Sequence, residues 1–319
     1  MPDLTQPLRD LFGARLKLDE PMSRHTHFRI GGPARWFVEA KTEEEIVRAL
    51  ASAKEAGVPT FVLGGGSNTL VSDQGFGGLV VQVAMRGISI DGTTVTAGAG
   101  VPSAALARST ADAGLEGLEW MITLPGTVGG AVHGNAGCFG GETKDRLSSV
   151  RLLRDGSIID VAPSALAFGY RDSALKHSSD VVLRATFVLR AGDASLLRRR
   201  MEDQLAARKE TQPLNAGSAG CVFKNCGIRD DAEASRLAGE IPEAMRSARR
   251  VSAGWLVEQA DLKGKKIGRA QISPAHGNFI VNLGGATAEE VVQLVAVAKT
   301  RVRDRFGLQL REEIQYLGF

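Results

Sequence analysis

At 319 residues the chain exceeds the size at which one hydrophobic core usually stops growing, so two or three domains are expected and core burial is not limiting. Its 43% hydrophobic and 24% charged residues are ordinary globular composition, which argues against long disordered tails, and a net charge of +3 is too small to warrant nucleic-acid binding. The three cysteines, Cys138, Cys221 and Cys226, form no Cys-x-x-Cys, fit neither a disulfide framework nor a zinc site, and read as reduced thiols.

In chain order, Met1 to Gln6 lack a basic run followed by an apolar one, so a cytosolic enzyme without a signal peptide is the expectation. Residues 36–38 are an apolar strand, and Thr42-Glu43-Glu44-Glu45 predicts a capping box for a helix with Ile46, Leu50 and Ala53 on one face, ended by Gly57. A short buried strand at 60–63 delivers the chain into Leu63-Gly64-Gly65-Gly66-Ser67-Asn68, where an α/β unit usually carries its ligand loop. Another strand follows at 79–83. From about Thr93 the pattern turns to alternation: strands at 150–154 and 157–161 flank the turn pair Asp155-Gly156, and another covers 182–190. Ahead of these strands lies a second glycine-dense turn, Pro125-Gly126-Thr127-Val128-Gly129-Gly130-Ala131-Val132-His133-Gly134-Asn135-Ala136-Gly137. Residues 120–141 are charge-free, but this glycine content makes a poor lipid-facing helix, so no membrane insertion is expected.

Strands flanking a glycine-rich loop without regular helix crossovers predict an antiparallel α+β domain. Leu197, Met201 and Leu205 mark one face of a basic helix, which leads past Gln212-Pro213 into a turn-rich region. A final helix over 287–306 has Thr287 and Glu290 as its capping box, Val291, Leu294, Val295, Ala298 and Val302 facing a core, and Gly307 as an αL stop. A strand over 308–316 ends the pattern.

The two glycine turns carry the functional signal. Without a Cβ, successive amides can turn inward around an anion, and two such loops suit one large phosphorylated dinucleotide. Neither matches the Walker pattern, and Thr69 stands where Gly-x-Gly-x-x-Gly needs its third glycine. Three further clusters bear chemistry: Phe168-Gly169-Tyr170-Arg171-Asp172-Ser173, Gly220-Cys221-Val222-Phe223-Lys224-Asn225 and Leu310-Arg311-Glu312-Glu313-Ile314. An arginine can neutralise a carboxylate or enolate, a thiol can deliver a proton, and a glutamate can orient what they act on. Taken singly, Arg171 reads equally as a surface ion-pair partner, Cys221 as a small buried hydrophobe and Glu313 as a strand-edge charge.

Phe28-Arg29-Ile30-Gly31-Gly32, the Gly64 to Asn68 loop, Gly114-Leu115-Glu116-Gly117-Leu118-Glu119, the Pro125 to Gly137 turn, Tyr170-Arg171, the Gly220 to Asn225 cluster, Ala253-Gly254-Trp255-Leu256 and Val281-Asn282 together resemble the bacterial UDP-N-acetylenolpyruvoylglucosamine reductases nearly end to end. That resemblance implies an α+β fold: a two-subdomain FAD-binding part of the vanillyl-alcohol oxidase type plus an α+β substrate-binding domain. The expected boundaries are 1–85 and 86–205 for the FAD subdomains, with the C-terminal strand 308–319 joining the second, and 206–307 for the substrate domain. Non-covalent FAD, reduced by NADPH, would reduce the enolpyruvyl group of the UDP-sugar in peptidoglycan precursor synthesis.

The resemblance implies Arg171, Cys221 and Glu313 as catalytic residues. It implies Gly64, Gly65, Gly66, Ser67, Asn68, Pro125, Gly126, Thr127, Gly129, Gly130, Asn135, Ala136 and Gly137 around the cofactor, Lys209, Asn225 and His276 at the substrate, and no metal. The expected partners are the UDP-sugar and NADPH, not nucleic acid, with the protein a monomer or weak oligomer. The chain departs from the family in having Cys221 for the usual serine and Cys226 for the usual proline, and in a long 227–250 segment. It resembles the kind without a tyrosine-bearing substrate loop. A thiol is a stronger acid than a hydroxyl, but Lys224 nearby would favour the thiolate and remove the proton. The rival readings are a sugar-acid oxidase of the same fold and a non-catalytic nucleotide-sugar binding protein.

Overall fold

The computed structural model describes residues 3–319, which divide into two compact units that interleave along the chain. The first comprises residues up to Glu20, Ala34–Gly66 and Phe76–Glu210; the second comprises Pro21–Pro33, Ser67–Gly75 and Thr211–Phe319. Among the described residues, no helix is long and apolar enough to cross a membrane.

In the first unit, the strand Phe76–Val83 pairs in parallel with Pro33–Ala40 on one side and with Thr60–Leu63 on the other. Lys17–Pro21 completes this four-stranded sheet. Helices α1 (Thr5–Phe12) and α2 (Glu43–Glu55) belong with it. Thr42 caps α2 as its spacing predicts, accepting from the Glu45 amide at 3.1 Å. The reciprocal half of the box does not form, because the Glu45 carboxylate takes the Lys41 amide and pairs with Arg15 instead.

A second, five-stranded sheet runs Ser157–Val161, Leu147–Arg154, Val181–Val188, Thr94–Gly98, Ile88–Asp91, antiparallel throughout. The Asp155-Gly156 hairpin forms with Arg154 opposite Ser157, and both turn residues have positive φ, at 49° and 82°. Helices α3 (Ser103–Asp112), α4 (Val128–Gly134) and α5 (Ala194–Thr211) follow. One continuous core joins the two sheets, with Trp36, Val81, Leu106, Met121, Val132, Leu183 and Phe187 buried in it. On α5, Leu197 and Met201 enter this core, but Leu205 is 40% exposed, so the predicted apolar face stops a turn early.

The second unit has its own core, centred on α9 (Ala288–Phe306). It also contains α6 (Asp231–Arg236), α7 (Glu243–Ser247) and α8 (Ala253–Gln259). The capping box of Thr287 and Glu290 forms in full, and Gly307 closes α9 at φ of 65°. Val291, Leu294, Val295, Ala298 and Val302 are all buried, each valine or leucine contributing about 1.5–3 kcal/mol by removal from water. Three strands, Lys266–Ile267, Ala270–Ile272 and Ile280–Asn282, pack beside it.

Residues 21–33 belong here because Phe28 and Ile30 enter this core and buried Asn282 donates to the Phe28 carbonyl at 3.0 Å. The segment 227–250 folds over the end of α9, where the Arg236 guanidinium donates to the Phe306 carbonyl at 2.9 Å. The end of the chain is not one strand but two short ones, Arg311–Glu312 and Gln315–Leu317. The latter pairs in parallel with Thr69–Val71, and both strands lie in the second unit.

Candidate active site

The first glycine loop follows the strand Thr60–Leu63 directly, and in the first unit it meets the second loop backbone to backbone. A Cβ on Gly65 would stand 2.8 Å from the Gly126 Cα, and one on Gly64 would stand 2.8 Å from the Thr127 Oγ1. The gap at Gly65 is closed by backbone, so glycine is required there by contact and not by turn geometry, whereas Gly64 faces a side-chain hydroxyl. Pro125, Gly126 and Thr127 lead into α4. Gly129 and Gly130 lie inside that helix, where a Cβ on Gly129 would be 2.8 Å from the Ala99 Cβ. The second loop is therefore a short helix in a place where glycine is a poor helix former, because it must approach a neighbouring backbone closely.

Two hydroxyls in this region, Thr127 Oγ1 and Ser103 Oγ, are buried without a hydrogen-bond partner. Glycine backbones with orphaned hydroxyls beside them suit a ligand rich in acceptor oxygens.

Asn135 caps α4 in the left-handed region, with φ of 42°. Its side chain is fully buried and engaged by the protein: Nδ2 donates to Glu142 Oε2 at 3.1 Å and to the Gly169 carbonyl at 2.8 Å, and Oδ1 accepts from the Lys144 amide at 3.2 Å. Ala136 and Gly137 follow, and Gly137 offers its carbonyl to Arg171 Nη2. The loop and the candidate arginine are thus in direct contact. Lys209 stands exposed on the last turn of α5.

In the second unit, Cys221 and Glu313 lie on adjacent segments. Phe223 is registered opposite Glu312, and the Glu313 amide donates to the Val222 carbonyl at 2.7 Å. Asn68, which ends the first glycine loop, donates from Nδ2 to the Glu313 carbonyl at 2.9 Å, while its own carbonyl accepts from the Gln315 amide at 2.8 Å. The other edge of the cysteine segment is held by Asn278, a residue with no sequence motif to mark it. Buried Asn278 accepts from the Phe223 amide at 2.9 Å and donates to the Phe223 carbonyl at 2.8 Å.

His276 turns this loop. Its Nδ1 accepts from the Asn278 amide at 3.1 Å, which leaves the neutral ring's proton on Nε2 as a donor. Burial, then Lys263, hold its pKa below the ordinary histidine value. Asn225 uses its Oδ1 on the Ala253 amide, 3.1 Å away, at the start of α8.

Residues 212–317 match the family described as UDP-N-acetylenolpyruvoylglucosamine reductase, C-terminal domain, and residues 34–162 match the FAD binding domain. A reductase of that name from Rubrobacter xylanophilus is 40% identical over 314 residues, covering 98% of both chains, and one from Solibacter usitatus is 40% identical over 300 residues, covering 93% of this chain and 95% of its own. The crystal structure of UDP-N-acetylenolpyruvylglucosamine reductase from Thermus caldophilus is 36% identical and superposes with a TM-score of 0.75 over 95% of this chain and 99% of that one. The chain belongs to the UDP-N-acetylenolpyruvoylglucosamine reductase family.

The FAD binding domain of this reductase family implies FAD, and Cβ-free loops with orphaned hydroxyls beside them offer the close backbone and donors that a diphosphate needs, so the residues present fit the cofactor. Two further thiols, Cys226 and Cys138, are held by burial and by polar neighbours. Burial pushes Cys226 up to about 11, and its Sγ lies 3.6 Å from the Gln309 carbonyl. Burial also raises Cys138, whose Sγ is 3.2 Å from Thr123 Oγ1. Both stay protonated at neutral pH, with little thiolate to react.

Proposed function

We infer that this protein is an FAD-dependent oxidoreductase that reduces UDP-N-acetylenolpyruvoylglucosamine to UDP-N-acetylmuramate with NADPH, in peptidoglycan precursor synthesis. The observation that carries this reading is 40% identity to a reductase of that name across 98% of both chains, spanning the FAD-binding and C-terminal parts alike. Bound in the glycine cradle, FAD supplies the route by which a hydride from NADPH reaches the enolpyruvyl double bond.

The chain's own residues handle the charge and the proton. Negative charge develops beside the substrate carboxylate, and the Arg171 guanidinium, already fixed on the cofactor loop through Gly137, stabilises it. Cys221 delivers the proton from its thiol. Glu313, anchored through its backbone by Asn68 and Val222, orients the substrate. In this reading Lys209, Asn225 and the Nε2 donor of His276 complete the substrate contacts, and the enzyme is cytoplasmic and a monomer or weak oligomer.

Rapid kinetics on Cys221→Ala test the assignment. Flavin reduction by NADPH should survive while reoxidation by the enolpyruvyl sugar slows greatly; normal reoxidation would remove Cys221 from the mechanism.

A further inference from the structure

The backbone of Arg171 is held in a conformation that its charge does not explain. Arg171 is the third residue of a tight turn, Gly169-Tyr170-Arg171-Asp172. The turn is closed by the Gly169 amide on the Asp172 carbonyl at 3.0 Å and the reverse bond at 3.3 Å. Its φ is 54°, in the left-handed region that favours glycine. A long L side chain persists there only where its surroundings over-determine it.

Three bonds tie this stretch to the end of α4 and to itself. Asn135 Nδ2 donates to the Gly169 carbonyl at 2.8 Å, and Ser173 Oγ donates to the His133 carbonyl at 2.7 Å. Lys176 Nζ donates to the carbonyl of Arg171 itself at 2.8 Å. Of the three, only this last acts on the strained residue. The Lys176 stem lies along the helix end, its Cε 3.9 Å from where a Cβ on Gly134 would stand. Burial, followed by the Lys176 charge, drives the pKa of neighbouring His133 down to about 4, so the ring is neutral beside the ammonium.

We propose that Lys176 is a positioning residue for Arg171: its ammonium on the Arg171 carbonyl fixes the left-handed turn and so aims the guanidinium from the cofactor loop toward the substrate carboxylate. This rests on the role given to Arg171 above.

The test compares Lys176→Met, Lys176→Gln and Lys176→Arg holoenzymes in separated half-reactions. Misplacement of a positioning group by about 1 Å can slow a reaction roughly 100-fold. Lys176→Met should therefore slow flavin reoxidation by the enolpyruvyl sugar by about 10- to 100-fold, with reduction by NADPH within about twofold of wild type. Lys176→Gln, which keeps an uncharged donor, should fall between, and Lys176→Arg should recover most of the rate. Binding of the sugar to the oxidised enzyme without NADPH, read from the flavin difference spectrum, should weaken in parallel.

In an Arg171→Ala background, Lys176→Met should add no further slowing, because Lys176 acts only through Arg171. Unchanged reoxidation and binding in both Lys176→Met and Lys176→Gln, equal slowing of both half-reactions, or an effect that multiplies with Arg171→Ala would each overturn the proposal. If Lys176→Met does not fold, Lys176→Gln carries the comparison. A wild-type enzyme that the sugar cannot reoxidise would instead overturn the functional reading, and the role of Lys176 with it.

Discussion

Gly65→Ala is the sharpest probe of the cradle, because the added methyl meets backbone and not a movable side chain. Its Cβ would stand 2.8 Å from the Gly126 Cα and 3.3 Å from the Gly126 carbonyl carbon. Carbon atoms pack best at about 3.5–4.0 Å, so the two loops must part by at least about 0.7 Å. Forcing an extra carbon into a packed position costs about 1–3 kcal/mol. If that displacement opens the diphosphate site, FAD affinity falls roughly 5- to 150-fold.

The assay is FAD titration of apoenzyme by fluorescence quenching, beside thermal unfolding of the same sample. Gly77→Ala is the control, since nothing lies within 4 Å of its added Cβ and its φ is not in the left-handed region. Retained FAD affinity in Gly65→Ala, matching Gly77→Ala, would show that these loops are tight turns and not the cofactor's cradle.

Further outcomes follow from individual contacts. Cys221→Ala should slow reoxidation by the order of 10²–10⁴, the usual worth of a general acid, and Cys221→Ser should restore part of it in stopped-flow traces. Asn278→Ala strips both partners from the buried Phe223 peptide groups, at about 1–3 kcal/mol each, and should lower the unfolding temperature while leaving FAD content unchanged. His133 titrates at about 4 when folded against an ordinary 6.5, so the unfolded chain binds the extra proton between those values. Stability should therefore fall as pH drops from about 6.5 toward 4, by at most about 3 kcal/mol, and chemical denaturation of His133→Gln should show a flatter profile over that window.

The legible parts of the fold were those fixed by neighbours in sequence. The Thr287 and Glu290 box, the Gly307 stop and the Asp155-Gly156 hairpin each depend on residues within a turn of one another, and each forms at its expected place. What the sequence did not reveal depends on distant partners. Glu45 leaves its own capping box for Arg15, thirty positions away, and α4 carries Gly129 where its backbone approaches Ala99.

The candidate site divides in the same way. Gly64 to Gly66, Arg171, Cys221 and Glu313 carry recognisable motifs, whereas Asn278 and Lys176 act through backbone carbonyls that no spacing rule predicts. Asn135 did carry a signal, since an asparagine after Gly134 suits a left-handed cap. Its side chain is engaged by Glu142, by the Lys144 amide and by the turn of Arg171 at the Gly169 carbonyl.

The measurement that bears most directly on the whole account is the visible spectrum of the purified protein under anaerobic conditions. The flavin bands should be present, bleach on addition of NADPH, and return when the enolpyruvyl UDP-sugar is added in stoichiometric amount. Protein that is colourless and takes up no FAD, or flavin that NADPH reduces but the sugar leaves bleached, would contradict it.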